Sequence, residues 1–178
     1  DPAAPVEILA VGRAVDKKGF DDLLRALASL PASTHWRLTH VGDGALLPSL
    51  ASLARTLGVD ARVRWLGARP HADVLAAYRA ADLFALPCRI SDDGDRDGLP
   101  NVLLEAQSQK LACVSTPVSG IPELIEDGVT GVLVPPRDPP ALAAAMARLI
   151  ADPALRTRLG DAGYCRVIAD FSSEAGAD

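Results

Sequence analysis

LFALPCRISDDGDRDGLPNVLLEAQSQKLACVS, residues 83–115, holds the organisation of the chain in one stretch. The apolar run at 83–86 is too short for a helix and apolar on both faces, which fits a strand in a sheet covered on both sides. Residues 99–109 read as a helix with Pro100 in its first turn, where a missing N–H costs nothing. A second apolar run at 111–115 reads as the next strand. Strand, helix and strand at this spacing make a parallel βαβ unit. The loop inside it is acidic, with Asp92, Asp93, Asp95 and Asp97.

The same alternation extends in both directions. Strands are expected at 6–11, 36–41, 62–66 and 131–134. Helices are expected at 18–30, 45–57, 72–81, 138–150 and 153–168, with a single helical turn at 121–126. In 18–30, Phe20, Leu23, Leu24, Leu27 and Leu30 recur at helical spacing, and Gly58 stops the helix before it. Crossovers of this kind are right-handed, so the expected fold is α/β: a doubly wound, Rossmann-like parallel sheet of about six strands with helices on both faces. Residues 1–5 read as a linker, 6–171 as the domain, and 172–178 as a tail.

Composition narrows the function. The chain has 178 residues, 49% of them apolar, and a net charge of −5, which suits a packed core and not a basic nucleic-acid surface. No apolar run approaches the roughly 20 residues of a membrane span. Cys88, Cys113 and Cys165 stand far apart without metal-ligand spacing and read as reduced thiols.

In doubly wound sheets ligands bind outside the carboxyl ends of the strands, where the strand order reverses. After the first strand comes Gly12-Arg13-Ala14-Val15-Asp16-Lys17-Lys18-Gly19. Gly12 permits close backbone approach, Arg13 can fork onto an oxyanion, and Lys18 adds a point charge beside a helix start. The set suits a diphosphate equally as well as it suits a solvated turn. After the second strand, Gly42-Asp43-Gly44 resembles a dinucleotide fingerprint but has Leu47 where the third glycine belongs, so a glycine-rich turn capped by Asp43 is preferred. In the acidic loop, Asp93, Asp95, Asp97 and Gly98 match the opening of a calcium loop, but the twelfth position is Leu104 and a strand precedes it, which excludes that reading. A diphosphate-bearing metal chelated by these aspartates remains a minor alternative to a solvated loop. Asp97 and Glu105 lie eight apart, so a helix starting near Gly98 lets both carboxylates face the ligand end. There they can accept sugar or ribose hydroxyls, with free N–H groups at residues 98–101.

The segments VGRAVDKKGF, VGDG, RVRWLG, ADLFALP, DGLPNVLLEA, GIPELIEDGVTGVLV and ALAAAMARLI, in this order, resemble the C-terminal, donor-binding domain of retaining glycosyltransferases of the two-domain GT-B fold (glycosyltransferase family 4, glycosyl transferases group 1). The resemblance covers about residues 6–171. It implies that Gly12, Arg13 and Lys18 hold the diphosphate of a UDP-, GDP- or ADP-sugar. It puts the sugar against Asp97, the first acid of the family's paired motif and its catalytic position, and against the backbone of Gly98, Leu99 and Pro100. Glu105, the second acid, would take the ribose, and Arg69 would lie near the nucleobase. It further implies front-face transfer with retention, no cofactor and no required metal. The acceptor domain is expected in an N-terminal half absent from this sequence. The implied setting is the cytoplasm, at the inner face of a membrane if that missing half makes peripheral contact. His35, His40 and His71 are given no catalytic part.

Three residues depart from the family pattern. Asp97 stands for the usual Glu and shortens the reach by roughly 1.5 Å. Residues 107–110 replace a small-residue stretch ending in Gly, and Lys110 in a left-handed cap costs on the order of 1 kcal/mol. Ala112 stands where Pro is common. Two other readings stay open: a nucleotide-binding module of the same fold that has lost its chemistry, and a nucleotide-sugar epimerase.

Overall fold

The computed structural model describes the backbone of residues 4–176 and the side chains of residues 4–170. The first part of the expected linker, residues 1–3, and the end of the expected tail, residues 177–178, lie outside the described residues. Six parallel strands form one sheet in the order β3-β2-β1-β4-β5-β6. They are β1 (Val6–Val11), β2 (Trp36–Val41), β3 (Val63–Trp65), β4 (Leu83–Leu86), β5 (Ala112–Ser115) and β6 (Val132–Leu133). Val6 pairs with Trp36 and Val11 with Val41 across β1 and β2, while Ile8 pairs with Leu83 across β1 and β4. The order reverses between β1 and β4. This is the expected doubly wound sheet.

The helices are α1 (Phe20–Ala28), α2 (Leu47–Thr56), α3 (His71–Ala80), α4 (Asn101–Ser108), α5 (Ile121–Leu124), α6 (Pro139–Ala151) and α7 (Pro153–Gly176). Right-handed crossovers put α1 and α2 on one face and α3 and α4 on the other. The chain returns with α6 packed on α1, and α7 then covers β5 and α4. Both faces of the central strands are therefore sealed. Every residue of β4 and β5 is buried, as their continuous apolar sequence requires.

Several element ends move for identifiable reasons. Residues 16–18 form a short 3-10 turn closed by Gly19 at φ +69°, so α1 begins at Phe20 and Lys18 sits before the helix. Pro100 is the residue preceding α4, which begins at Asn101, not near Gly98. Its extended backbone (ψ 117°) breaks the helix there. A 3-10 turn at Asp60–Arg62 shortens β3. Asp138 caps α6 by accepting from the Ala141 N–H at 3.0 Å. α7 runs on past Ile168 to Gly176, so residues 172–176 of the expected tail have helical backbone; no Gly or Pro interrupts 168–175. Lys110 does adopt the left-handed cap, at φ +63°, and its ammonium lies 4.9 Å from the centre of the Tyr164 ring. Among the described residues no helix is long and apolar enough to cross a membrane.

Candidate functional site

The loops after β1 and β4 meet where the strand order reverses, and backbone packing fixes the first of them. Gly12 has φ +152°, and a Cβ there would lie 3.4 Å from Lys18 Cε, so the lysine stem lies across the glycine. A Cβ on Gly42 would come within 2.2 Å of the Gly12 carbonyl oxygen, and one on Gly44 within 2.7 Å of the Ala14 backbone. The Ala14 N–H donates to the Asp43 carbonyl at 2.8 Å, and the Leu46 N–H donates to the Ala14 carbonyl at 3.0 Å. The glycines of Gly42-Asp43-Gly44 thus let two loops touch. The turn is glycine-rich as expected, but the Asp43 side chain has no hydrogen-bond partner among the described residues, so it does not cap the turn; α2 begins after Leu46 without a side-chain cap.

His40 supports the same loop from beneath. Its Nε2 lies 2.9 Å from the Gly12 carbonyl oxygen and its ring packs between Phe20 and Trp65. Burial lowers the imidazole pKa to about 4 against the smaller opposing effect of the Gly12 hydrogen bond, so the ring is neutral near pH 7 and its Nε2 donates. Buried under the loop, it holds backbone in place.

Across the reversal, Lys18 Nζ donates to Asp97 Oδ2 at 2.7 Å. Lys17 Nζ lies 3.4 Å from the other oxygen, Asp97 Oδ1, and 3.5 Å from Asp95 Oδ1. Two predicted site residues, Lys18 and Asp97, are thereby in contact. Burial raises the Asp97 carboxyl, but the hydrogen bond and charge of Lys18, with Lys17, outweigh it and hold Asp97 below the ordinary carboxylate range. The Asp97 and Asp95 charges raise Lys17 in turn. Cys88 Sγ lies 3.7 Å from Asp97 Oδ2, and burial pushes that thiol up to about 12, so it is an unreactive neighbour.

Arg89 joins the two loops from behind. It is only 6% exposed. Its guanidinium pairs with Asp16 at 2.7 Å, Asp21 at 2.9 Å and Asp22 at 3.1 Å. Its N–H donates to the Lys17 carbonyl at 2.9 Å. Burial pulls the guanidinium down, but the surrounding aspartates more than reverse this and raise it, so the charge is permanent. Next to it, a Cβ on Gly19 would fall 2.1 Å from the Pro87 carbonyl oxygen. Thr116 Oγ1 donates to the Cys88 carbonyl at 2.6 Å, tying the loop after β5 to the same point.

The remaining predicted residues have other surroundings. The Arg13 side chain is exposed and has no hydrogen-bond or ion-pair partner among the described residues, which leaves its fork available to an anion. Gly98 faces open space, and its carbonyl accepts from the Gly120 N–H at 3.0 Å. The N–H groups of Gly98 and Leu99 have no partner among the described residues. Pro100 has no N–H to offer, which corrects the expected row of donors at residues 98–101. Glu105 is half-buried on α4, between buried Leu103 and Ala106. Its Oε2 accepts from the Tyr78 hydroxyl on α3 at 3.0 Å. Arg69 is exposed after β3 and folds back, its Nε donating to the Leu66 carbonyl at 3.0 Å. Asp93 Oδ1 accepts from the Asp95 N–H at 2.9 Å, which closes a turn in the acidic loop. Among the described residues no group of three or more His, Cys, Asp or Glu side chains is placed to hold a metal ion.

Cavities of about 390 Å³ under α3 and about 410 Å³ between α1 and α2 contain none of Arg13, Lys18, Asp97 and Glu105.

The sequence does not mark Lys17, Arg89 or Tyr78 as site residues. Only Lys17 left a trace in the sequence, as one of a Lys pair in a chain with three Lys.

A family model described as "Glycosyl transferases group 1" matches residues 5–152. The chain belongs to that family. It is 35% identical over 177 residues to the lipopolysaccharide core biosynthesis glycosyltransferase LpsE of Rhizobium meliloti (strain 1021), covering 99% of this chain and 49% of LpsE. It is 36% identical over 158 residues to a GDP-mannose-dependent alpha-(1-6)-phosphatidylinositol monomannoside mannosyltransferase of Mycolicibacterium smegmatis, covering 88% of this chain and 41% of that protein. Among solved structures, the sucrose-phosphate synthase of Thermosynechococcus elongatus superposes with a TM-score of 0.84 at 31% identity, over 98% of this chain and 43% of that one. The group 1 domain is therefore one half of a GT-B fold. The chain spans about half the length of the curated relatives it matches.

Proposed function

We propose that this chain is the donor-binding half of a retaining glycosyltransferase of family 4, acting on a nucleotide-diphosphate sugar. One observation carries the reading. At the reversal of strand order the two loops joined by the Lys18–Asp97 contact also carry the unpartnered Arg13 fork and the unclaimed N–H groups of Gly98 and Leu99. Cations beside a carboxylate and free backbone donors are the chemistry that a diphosphate joined to a hydroxylated ring requires.

In this reading Arg13 and Lys18 hold the diphosphate over Gly12. Asp97 accepts a sugar hydroxyl, with the backbone of Gly98, Leu99 and Pro100 against the ring. Glu105, oriented by Tyr78, accepts the ribose hydroxyls, and Arg69 turns from Leu66 toward the base. The acceptor oxygen bonds to the anomeric carbon on the face the diphosphate leaves, and its proton passes to a departing phosphate oxygen. Arg13 and Lys18 stabilise the charge that develops there, a charge they meet without reorganising solvent. Because these side chains supply the positive charge, donor binding needs no metal. This chain binds the donor and transfers nothing, since the acceptor is read by an N-terminal half. The setting is the cytoplasm, at the inner membrane face where the acceptor is lipid-linked.

Calorimetric titration with UDP, GDP, ADP and their sugars tests the reading. It expects affinity in the range of about micromolar to millimolar for at least one of them, unchanged by EDTA. Absence of binding to all would contradict it, and loss with chelator would restore the metal reading. A second reading, a binding module without chemistry, draws on the occupation of both Asp97 oxygens by lysines. No transfer by the full-length protein, with Asp97 or with Asp97→Glu, would favour that module.

A further inference from the structure

We propose that Lys17 is a positioning residue for the donor sugar, holding Asp97 in place once Lys18 has turned to the diphosphate; this rests on the donor-site reading above. The two lysines divide the carboxylate between them, Lys18 at Oδ2 and Lys17 at Oδ1. Lys18 also lies across Gly12, on the diphosphate side, so charge it gives to a phosphate is withdrawn from Asp97. Lys17 has a different set of partners. Its ammonium reaches two carboxylates of the acidic loop, Asp97 and Asp95. Its carbonyl is fixed by the Arg89 N–H, and the preceding residue, Asp16, by the Arg89 guanidinium.

Lys17 is therefore held through its backbone by Arg89 on one side and bonded through its ammonium to the exposed acidic loop on the other. Asp97 is one methylene shorter than the Glu implied by the family pattern, and it sits in a loop where residues 92–96 are exposed. A short carboxylate reaches a sugar hydroxyl at one place only if the loop is drawn to a fixed point. Lys17 is that point. Its effect falls on the sugar and not on the nucleotide, because both contacts its ammonium makes are to the acidic loop.

The test compares the chain with its Lys17→Gln and Lys17→Arg variants, titrated with UDP against UDP-glucose, GDP against GDP-mannose and ADP against ADP-glucose. The readout is the ratio of the two dissociation constants within whichever of the three pairs binds. Lys17→Gln is expected to leave nucleotide affinity within about threefold and to shift the ratio against the sugar nucleotide by about five- to tenfold, the effect of one hydrogen bond. Lys17→Arg, which can bridge the same two carboxylates, restores most of it. An unchanged ratio in Lys17→Gln overturns the proposal, and so does an equal loss for nucleotide and sugar nucleotide, which would put Lys17 on the diphosphate. If none of the three pairs binds even to the unaltered chain, the donor-site reading itself fails and this proposal with it.

Discussion

The two loops that meet at the reversal of strand order are built in opposite ways. The loop after β1 is held by close backbone packing: a Cβ on Gly42 or Gly44, in the loop after β2, would strike the Gly12 carbonyl oxygen or the Ala14 backbone, and one on Gly19 would strike the Pro87 carbonyl oxygen. The loop after β4 has glycines too, but Gly94 and Gly98 face open space. It is held by side-chain charge, through Lys17 and Lys18 from the other loop and through Arg137, which donates to the Ile90 carbonyl at 2.8 Å. In the proposed donor site the difference would separate two tasks. A diphosphate is the same in every nucleotide sugar and would be met by the backbone-packed loop, whereas the sugar varies and would be met by an acid on the charge-held loop.

Removing the brace between the loops has the largest expected effect. Arg89→Ala leaves Asp16, Asp21 and Asp22 without their common cation, and about 3 kcal/mol of stability should go, since uncompensated charges remain partly buried. Denaturant unfolding measures this; a loss below about 0.5 kcal/mol, the range of an ordinary surface change, would mean that the loops do not depend on one another.

Acid should attack the fixed loop next. The folded pKa of His40, about 4, lies below the unfolded value of 6.5, so the unfolded chain binds the proton first. The stabilisation is complete above pH 6.5 and is lost as pH falls toward 4, by up to about 3 kcal/mol. Unfolding curves across that window should show the decline, and His40→Gln should flatten it. A decline of the same size in the variant would assign it to other groups.

A pair of alanine substitutions sharpens the contrast further. Gly19→Ala meets a carbonyl oxygen at 2.1 Å in a left-handed conformation and should cost about 2 kcal/mol or more. Gly98→Ala meets nothing and should change stability by less than about 0.5 kcal/mol, while weakening binding of a sugar nucleotide. Equal destabilisation by the two would erase the distinction between the loops.

Lys110→Gly gives the smallest effect, a gain of at most about 1 kcal/mol at the far end of α4, reduced by the lost stacking on Tyr164. Thermal unfolding reads it, and a lower midpoint would show that the stacking outweighs the strain.

The sheet was readable because its strands are contiguous apolar runs: β1, β2 and β4 begin and end at the expected residues. The helix starts were less readable. Proline before α4 and glycine before α1 are compatible with several registers, and only the packing of Gly19 on Pro87 chooses one. Of the site, Arg13, Lys18, Asp97 and Glu105 could be named from the family's pattern, but not their partners. Lys18 and Asp97 are 79 residues apart, Arg89 and Asp22 are 67 apart, and Tyr78 reaches Glu105 from another helix. Local spacing carries no information about such pairs. Lys17 looked like a second solvated lysine, and Arg89 like one arginine among 15.

The central claim is that the rigid loop after β1 is the diphosphate platform. Titration of the Arg13→Ala and Lys18→Ala variants with the nucleotide that binds the unaltered chain tests it most directly. The account predicts that each variant loses affinity by roughly 10- to 150-fold, the effect of one charged hydrogen bond. Unchanged affinity in both would place the diphosphate elsewhere and contradict it.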